Sequence, residues 1–324
     1  MVDRQPDAGT TQAGSVAETG EFGLIARVTA GLPVGEGVLL GPGDDAAVVA
    51  APGGRVLVST DLMVEDRHFR LDWSEAADVG HKAAAANLAD VAAMGGVATA
   101  LVVGLAAPGD LDAGWAAAMA AALAEEAATV GASVVGGDVT AADTITIAVT
   151  VLGRCDGDPV LRSGARPGDV VALAGRIGHA AAGYSVLARG FRSPRAVVEA
   201  HRRPRPPYAA GPAAAAAGAT SMIDVSDGLL ADLGHVALAS GVAIDVDPAA
   251  FVLDEPLQAV GAALGLDPLG FCLTGGDDHA LVATFAPGTA LPAGFTVVGL
   301  VSEGAGVTVA GAPWDGDAGH QHYR

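Results

Sequence analysis

The chain has 324 residues, 51% of them hydrophobic, and a formal net charge of −20. That length carries two domains of ordinary size, and the apolar content excludes disorder over most of it. The charge argues against nucleic acid or an anionic membrane as a partner, since both are bound by cationic surfaces. Lys82 is the sole lysine. A protein this acidic that handles phosphates needs added cations, and a divalent metal is the simplest supply. Cys155 and Cys272 lie far apart and form no metal-spaced cluster, which suits reduced thiols in a cytosolic protein. Residues 1–20 lack the apolar core of a signal peptide. No stretch reaches the roughly 18 apolar residues that span a bilayer. The expectation is a soluble, cytoplasmic protein.

In chain order, residues 1–19 are expected to form a disordered leader. A helix is predicted from Glu21, with Phe22, Leu24, Ile25 and Val28 at helical spacing. Apolar segments at 38–40 and 46–50 flank Gly41-Pro42-Gly43-Asp44-Asp45, and a turn at 52–54 leads into a strand over 55–59. A long helix is predicted over 74–94 with Ser74 as its N-cap, ending at Gly95-Gly96. A buried strand over 98–105, a second long helix over 112–130 and strands at 133–135 and 144–152 complete this half. Composition turns polar around 153–168, the expected domain crossing. Beyond it come a strand at 170–173, a helix at 180–188, a Pro/Arg-rich stretch at 202–207 and an Ala-rich helix. A strand ending at Asp224, a helix over 228–240 and strands near 243 and 280 follow. Strands alternating with long helices make an α/β (α+β) chain, with domains at 20–153 and 154–324.

One pattern recurs five times: a short apolar run closes in Gly, Ser or Thr and then in Asp. It ends at Asp44-Asp45, Ser59-Thr60-Asp61, Gly136-Gly137-Asp138, Asp224-Val225-Ser226-Asp227-Gly228 and Gly275-Gly276-Asp277-Asp278. Asp90 joins these from the first long helix, three residues after Asn87 and so on its face. Mg²⁺ takes hard oxygens in octahedral geometry, usually one or two carboxylates with waters and phosphates. Asp at a strand end fixes such an oxygen, and neighbouring Gly lets backbone N–H groups approach a phosphate. Any single Gly-Asp pair is ordinary turn chemistry; five in series point to metal and phosphate. A P-loop is excluded, because there is no Gly-x-x-x-x-Gly-Lys-Ser/Thr. Gly41-Pro42-Gly43 fits a dinucleotide fingerprint only loosely, since a strand follows and two carboxylates would repel a pyrophosphate.

The ordered series then becomes specific. Gly20-Glu21-Phe22, Gly43-Asp44-Asp45-Ala46, Ser59-Thr60-Asp61, His68-Phe69, Asn87-Leu88-Ala89-Asp90 and Ala93-Met94-Gly95 stand in that order. Gly136-Gly137-Asp138, Arg162-Ser163-Gly164-Ala165, Ile223 to Leu229 and Gly275-Gly276-Asp277-Asp278 follow. From Gly20 to the C-terminus the series resembles the thiamine-monophosphate kinases, of the aminoimidazole ribonucleotide synthetase-like superfamily. The resemblance implies two domains, each a mixed sheet packed with helices, and a homodimer formed through the first. It implies magnesium ligands at Asp45, Thr60, Asp61, Asp90, Asp138 and Asp224, with Ser59 and Asp227 at or beside ligand positions. Of these, Asp45, Asp61, Asp90 and Asp224 are the candidate catalytic carboxylates. It implies ATP contacts at Gly137, Asp138, Arg162 and Ser226, and a thiamine-phosphate contact at His68. Asp277 stands where the family has Glu, and His320 where it has Trp or Tyr; both departures touch substrate recognition and leave the metal set intact.

The implied chemistry is Mg²⁺-dependent transfer of the ATP γ-phosphoryl group to thiamine monophosphate. A phosphate-monoester acceptor is already largely ionised near neutrality, its second pKa being about 6, so no base is required. The competing readings are another ATP-dependent enzyme of the superfamily and a non-catalytic Mg-nucleotide-binding paralogue. Against the first, the chain ends His322-Tyr323-Arg324 rather than in a functional Cys, and no Cys precedes Cys155.

Overall fold

The computed structural model describes residues 38–40, 44, 47–51 and 54–320. Among the described residues the first half holds six strands, β1 (Val38–Leu40), β2 (Ala47–Ala51), β3 (Gly54–Val64), β4 (Val97–Ala107), β5 (Ser133–Ala141) and β6 (Thr146–Arg154). They form one mixed sheet in the order β1-β2-β3-β6-β4-β5, with β4 and β5 parallel. Two helices, α1 (Ala76–Ala93) and α2 (Ala113–Ala128), cover one face. β6 shows why the sheet is one-sided: Ile147, Val149 and Val151 are buried, while the residues between them are only partly so. That period of two is the mark of a half-buried strand.

The second half builds a seven-stranded sheet from β7 (Val170–Ala174), β8 (Ser221–Val225), β9 (Ala243–Val246), β10 (Ala280–Phe285), β11 (Phe295–Ser302), β12 (Gly306–Val309) and β13 (Ala312–Pro313). Its order is β13-β12-β9-β11-β7-β10-β8. Helices α3 (His179–Leu187), α4 (Arg195–Arg202), α5 (Ala210–Ala216), α6 (Leu229–Ser240), α7 (Glu255–Leu264) and α8 (Pro268–Thr274) accompany it. Every residue of β8 and β10 is buried, so their part of the sheet is covered on both sides. One side meets the helices of its own half. On the other, Met222, Leu281, Ala283 and Phe285 pack against Ala92 and Ala93 of α1. The end of α1 is therefore apolar on two faces, which is why its Ala-rich sequence shows no clean amphipathic stripe. This packing sets α1 between the two sheets.

The observed elements correct several expectations. The N-cap of α1 is Glu75 rather than Ser74, with the Glu75 N–H donating to Asp78 Oδ2 at 3.1 Å. β3 and β5 run well past the predicted ends, so Asp61 and Asp138 sit inside strands, not at their ends. β3 stays paired with β6 as far as Val64, and that ladder overrides the turn signal at Ser59-Thr60. The helices α4, α7 and α8 and the strands β11–β13 had no sequence prediction. The helix predicted from Glu21 lies outside the described residues, as does Asp45.

Candidate active site

The two halves meet at acidic side chains. Asp61 points to the helix-covered face of the first sheet, in register with buried Val149. Asp224, on β8, is buried and accepts a 3.0 Å hydrogen bond from His279 Nδ1. Burial first, and then the negative charge of Asp224, push the Asp61 carboxyl up from its ordinary value, with His279 pulling the other way. Burial opposes a charge on His279, yet the Asp224 hydrogen bond and the nearby Asp224, Asp277 and Asp61 charges raise its imidazole above the usual range. An Asp from each half thus shares one electrostatic neighbourhood.

Beside it lies the turn after α8. Asp277 and His279 both take left-handed backbone, at φ 67° and 52°, a strain of about 1 kcal/mol or more for each residue. The turn is held from three sides. The Asp277 N–H donates to Ser226 O at 2.9 Å, the His279 N–H to Val225 O at 3.0 Å, and Asp278 Oδ1 accepts from the Ala180 N–H at 3.1 Å. Burial lifts the Asp278 carboxyl to about 6. Lys82 Nζ on α1 donates to Asp277 Oδ2 at 2.7 Å and approaches the carbonyl of His68 at 3.4 Å. Burial works against the Asp277 charge, but Lys82 outweighs it and holds the carboxyl well below the usual carboxylate range.

The Ser226–Asp227 turn at the end of β8 is pinned by Asp232 of α6. Its Oδ2 accepts from the N–H groups of Asp227 at 3.1 Å and Gly228 at 3.0 Å. Burial and the charges of Asp224 and Asp227 raise the Asp232 carboxyl well above normal. The His320 N–H donates to Asp227 O at 2.9 Å, so this residue, expected at the substrate, closes onto the same turn. Ser226, Asp227, Asp277 and His320 are neighbours.

Other expected residues are placed less uniformly. Ser59 shares the inner face with Asp61 and donates to Asp90 Oδ2 at 2.6 Å, joining β3 to α1. The His68 ring turns back on its own loop, Nδ1 accepting from the Val64 N–H at 2.9 Å. The Arg162 N–H donates to Asp44 Oδ1, drawing the first acidic turn to the crossing segment. Thr60 faces the opposite side of the sheet from Asp61 and spends its hydroxyl on Val149 O at 2.9 Å. Asp138 is also apart. It pairs with Gly104, which pairs with Ala148, which pairs with Leu62, so it shares the outer face with Leu62. Gly137 has a packing reason of its own: a Cβ there would stand 1.9 Å from Val103 O on β4.

The donor set fits a hard cation that completes its shell with phosphate. Asp61 and Asp224 are hard oxygen donors from the two sheets, and among the described residues neither is ion-paired to Lys or Arg, His279 being the partner of Asp224. Among those residues no three His, Cys, Asp or Glu side chains close around one point. Mg²⁺ takes such hard oxygens, one or two carboxylates with waters and substrate oxygens. Lys82, His201, Asp232 and His279 were not anticipated as site residues. The position of Lys82 in a helix hid its reach, and Asp232 carried only the weak signal of an acid in a helix's first turn.

The family model for the AIR synthase related protein N-terminal domain matches residues 43–155, and that for the C-terminal domain matches 166–315. A thiamine-monophosphate kinase of Mycobacterium tuberculosis is 49% identical over 316 residues, 97% of this chain and 94% of the relative. That of Corynebacterium glutamicum is 39% identical, covering 89% and 88%. A solved structure described as AaThiL complexed with AMPPCP and TMP superposes with a TM-score of 0.86 at 30% identity, covering 96% of this chain and 99% of the other.

Proposed function

The chain belongs to the thiamine-monophosphate kinase family, and from that premise we propose that Mg²⁺ held by carboxylates of both halves serves its phosphoryl transfer. It is an ATP-dependent kinase that converts thiamine monophosphate to thiamine diphosphate and ADP. The observation that supports the metal reading is the closeness of Asp61 on the first sheet to Asp224 on the second, near enough that the Asp224 charge adds to burial in raising the Asp61 carboxyl. Asp45, Asp61, Asp90 and Asp224 are the proposed catalytic carboxylates, with Ser59, Thr60 and Asp227 completing the ligand set; Asp138, expected among the ligands, stands on the outer face of the sheet and is kept out of it. Since the Thr60 hydroxyl is taken, its contribution would come from its main chain. Bound Mg²⁺ would neutralise two polyanions and the charge that develops between them. Gly137, Arg162 and Ser226 orient ATP, Arg162 as a forked phosphate donor. His68, Asp277 and His320 seat the thiamine moiety. The acceptor phosphate is ionised near neutrality, which accounts for a site rich in carboxylates with no activated nucleophile.

The test is direct. The purified protein with ATP, MgCl₂ and thiamine monophosphate is expected to release ADP and thiamine diphosphate in equal amounts, and chelation is expected to stop it. No thiamine diphosphate from a well-folded sample overturns the kinase reading; undiminished turnover after chelation overturns the metal reading.

The working unit we propose is a cytoplasmic homodimer. The outer face of the first sheet leaves Leu62 58% exposed and Val102 38% exposed, and β5 is an open edge strand. An uncovered apolar sheet face with an open edge is a site of association. Sedimentation is expected to return twice the chain mass, and Leu62→Arg half of that. A monomeric parent removes the proposal.

A further inference from the structure

Lys82 is the sole lysine in a chain of net charge −20, and it is spent inside the protein. Its side chain is 6% exposed, on the face of α1 turned toward the second half. Burying an ammonium costs several kcal/mol, and an apolar residue of the same length would pack there at least as well. A buried ion pair is therefore weak evidence for stability and calls for another reason. The two groups Lys82 joins supply one. Nζ reaches Asp277 Oδ2 across 195 positions of sequence and approaches the carbonyl of His68. One ammonium spans both segments assigned to the substrate, one from each half.

The Asp277 carboxylate is fixed rather than hidden. Its side chain is 44% exposed, with Oδ2 held by Lys82 and faced at 4.0 Å by His201 Nδ1. That nitrogen is buried and has no hydrogen-bond partner among the described residues, and burial together with Lys82 pushes the His201 imidazole down to about 3, so the ring is a neutral wall near pH 7. With Oδ2 engaged, the other oxygen is the one offered to a donor from outside.

We propose that Lys82 is a positioning residue for substrate recognition, clamping Asp277 so that its second oxygen meets the N–H donors and positive charge of the organic cation in the acceptor. The proposal rests on the family-derived reading of Asp277 as a substrate contact and adds the group through which that contact works. A fixed carboxylate loses little entropy on binding, whereas a free one must be ordered by the substrate itself.

The experiment compares wild type, Lys82→Met, Asp277→Asn and the double variant. It measures KM for thiamine monophosphate and for ATP separately, with thermal melting alongside. Lys82→Met is expected to raise the thiamine monophosphate KM by roughly tenfold, about 1.4 kcal/mol, and to leave the ATP KM within about twofold. If Lys82 works through Asp277, the double variant is no worse than Asp277→Asn alone. A merely structural lysine would shift melting without this split or this non-additivity. An unchanged thiamine monophosphate KM in folded Lys82→Met overturns the proposal, and so do fully multiplicative effects. Should Lys82→Met fold poorly, the doubly neutral variant decides, and a wild-type KM in it is equally fatal. Wild type is assayed first: its failure to make thiamine diphosphate defeats the kinase reading and this proposal together, whereas an active wild type with unmoved variants defeats this proposal alone.

Discussion

Asp61→Asn is expected to fold at least as well as the parent while losing about a thousandfold in kcat, the scale of removing one preorganised electrostatic contact from a transition state. Both halves follow from one fact. In the free protein the Asp61 carboxylate is a liability, desolvated inside the first sheet and pressed by the charge of Asp224. An amide of the same shape removes that repulsion, so the melting temperature should hold or rise. On the proposed metal reading the same pair becomes the asset during transfer, because a cation bound between Asp61 and Asp224 relieves the repulsion that His279, bonded to Asp224, only partly offsets. The Asn oxygen is a far weaker donor to Mg²⁺, and adding metal should not restore the rate. This opposition of stability and activity is the pattern of a strained functional site. Melting and ADP release are measured on the same sample. Turnover within tenfold of the parent would show that the Asp61 charge is not used.

Much of this was legible because the informative residues are local. Short runs such as Ser59-Thr60-Asp61 and Asp224-Val225-Ser226-Asp227-Gly228 carry their chemistry in consecutive positions, and the helices α1 and α2 carry a Gly stop and, for α2, an Asp112 N-cap. What local pattern could not supply was which face each acid takes. Asp61 and Asp138 look alike as sequence, yet strand register turns one toward α1 and the other outward. The long-range partners were equally hidden: nothing near Lys82 announces Asp277, and nothing near Asp224 announces His279. The Lys82 pair is made by α1 lying between the sheets, with Ala92 and Ala93 packed on β8 and β10, and the His279 pair by the β8–β10 ladder, which sets Ala280 opposite Val225. The helices α4, α7 and α8 are 7 to 10 residues long, too short for periodicity to separate them from loops.

The turn after α8 offers the second large effect. Gly276→Ala is expected to cost about 3 kcal/mol, the upper end for overpacking, and to raise the KM of both substrates. The backbone of Gly276 is not left-handed, so the cost is one of space. A Cβ would stand 2.0 Å from Ser226 O and 3.1 Å from the carbonyl carbon of Asp227, and both of those atoms are backbone. No rotamer change relieves such a clash; the turn or the end of β8 must move. Ser226 O also accepts the Asp277 N–H, so whichever side yields, that hydrogen bond is stretched. Displacing Ser226 disturbs the proposed nucleotide contact, and displacing Asp277 and His279 disturbs the substrate carboxylate and the partner of Asp224. The control is Gly234→Ala on α6, where an added Cβ meets nothing within 4 Å. There the higher helix propensity of Ala should stabilise by up to about 1 kcal/mol without touching kinetics. If Gly276→Ala melts and turns over like the parent, the close approach of the two turns is not what aligns them.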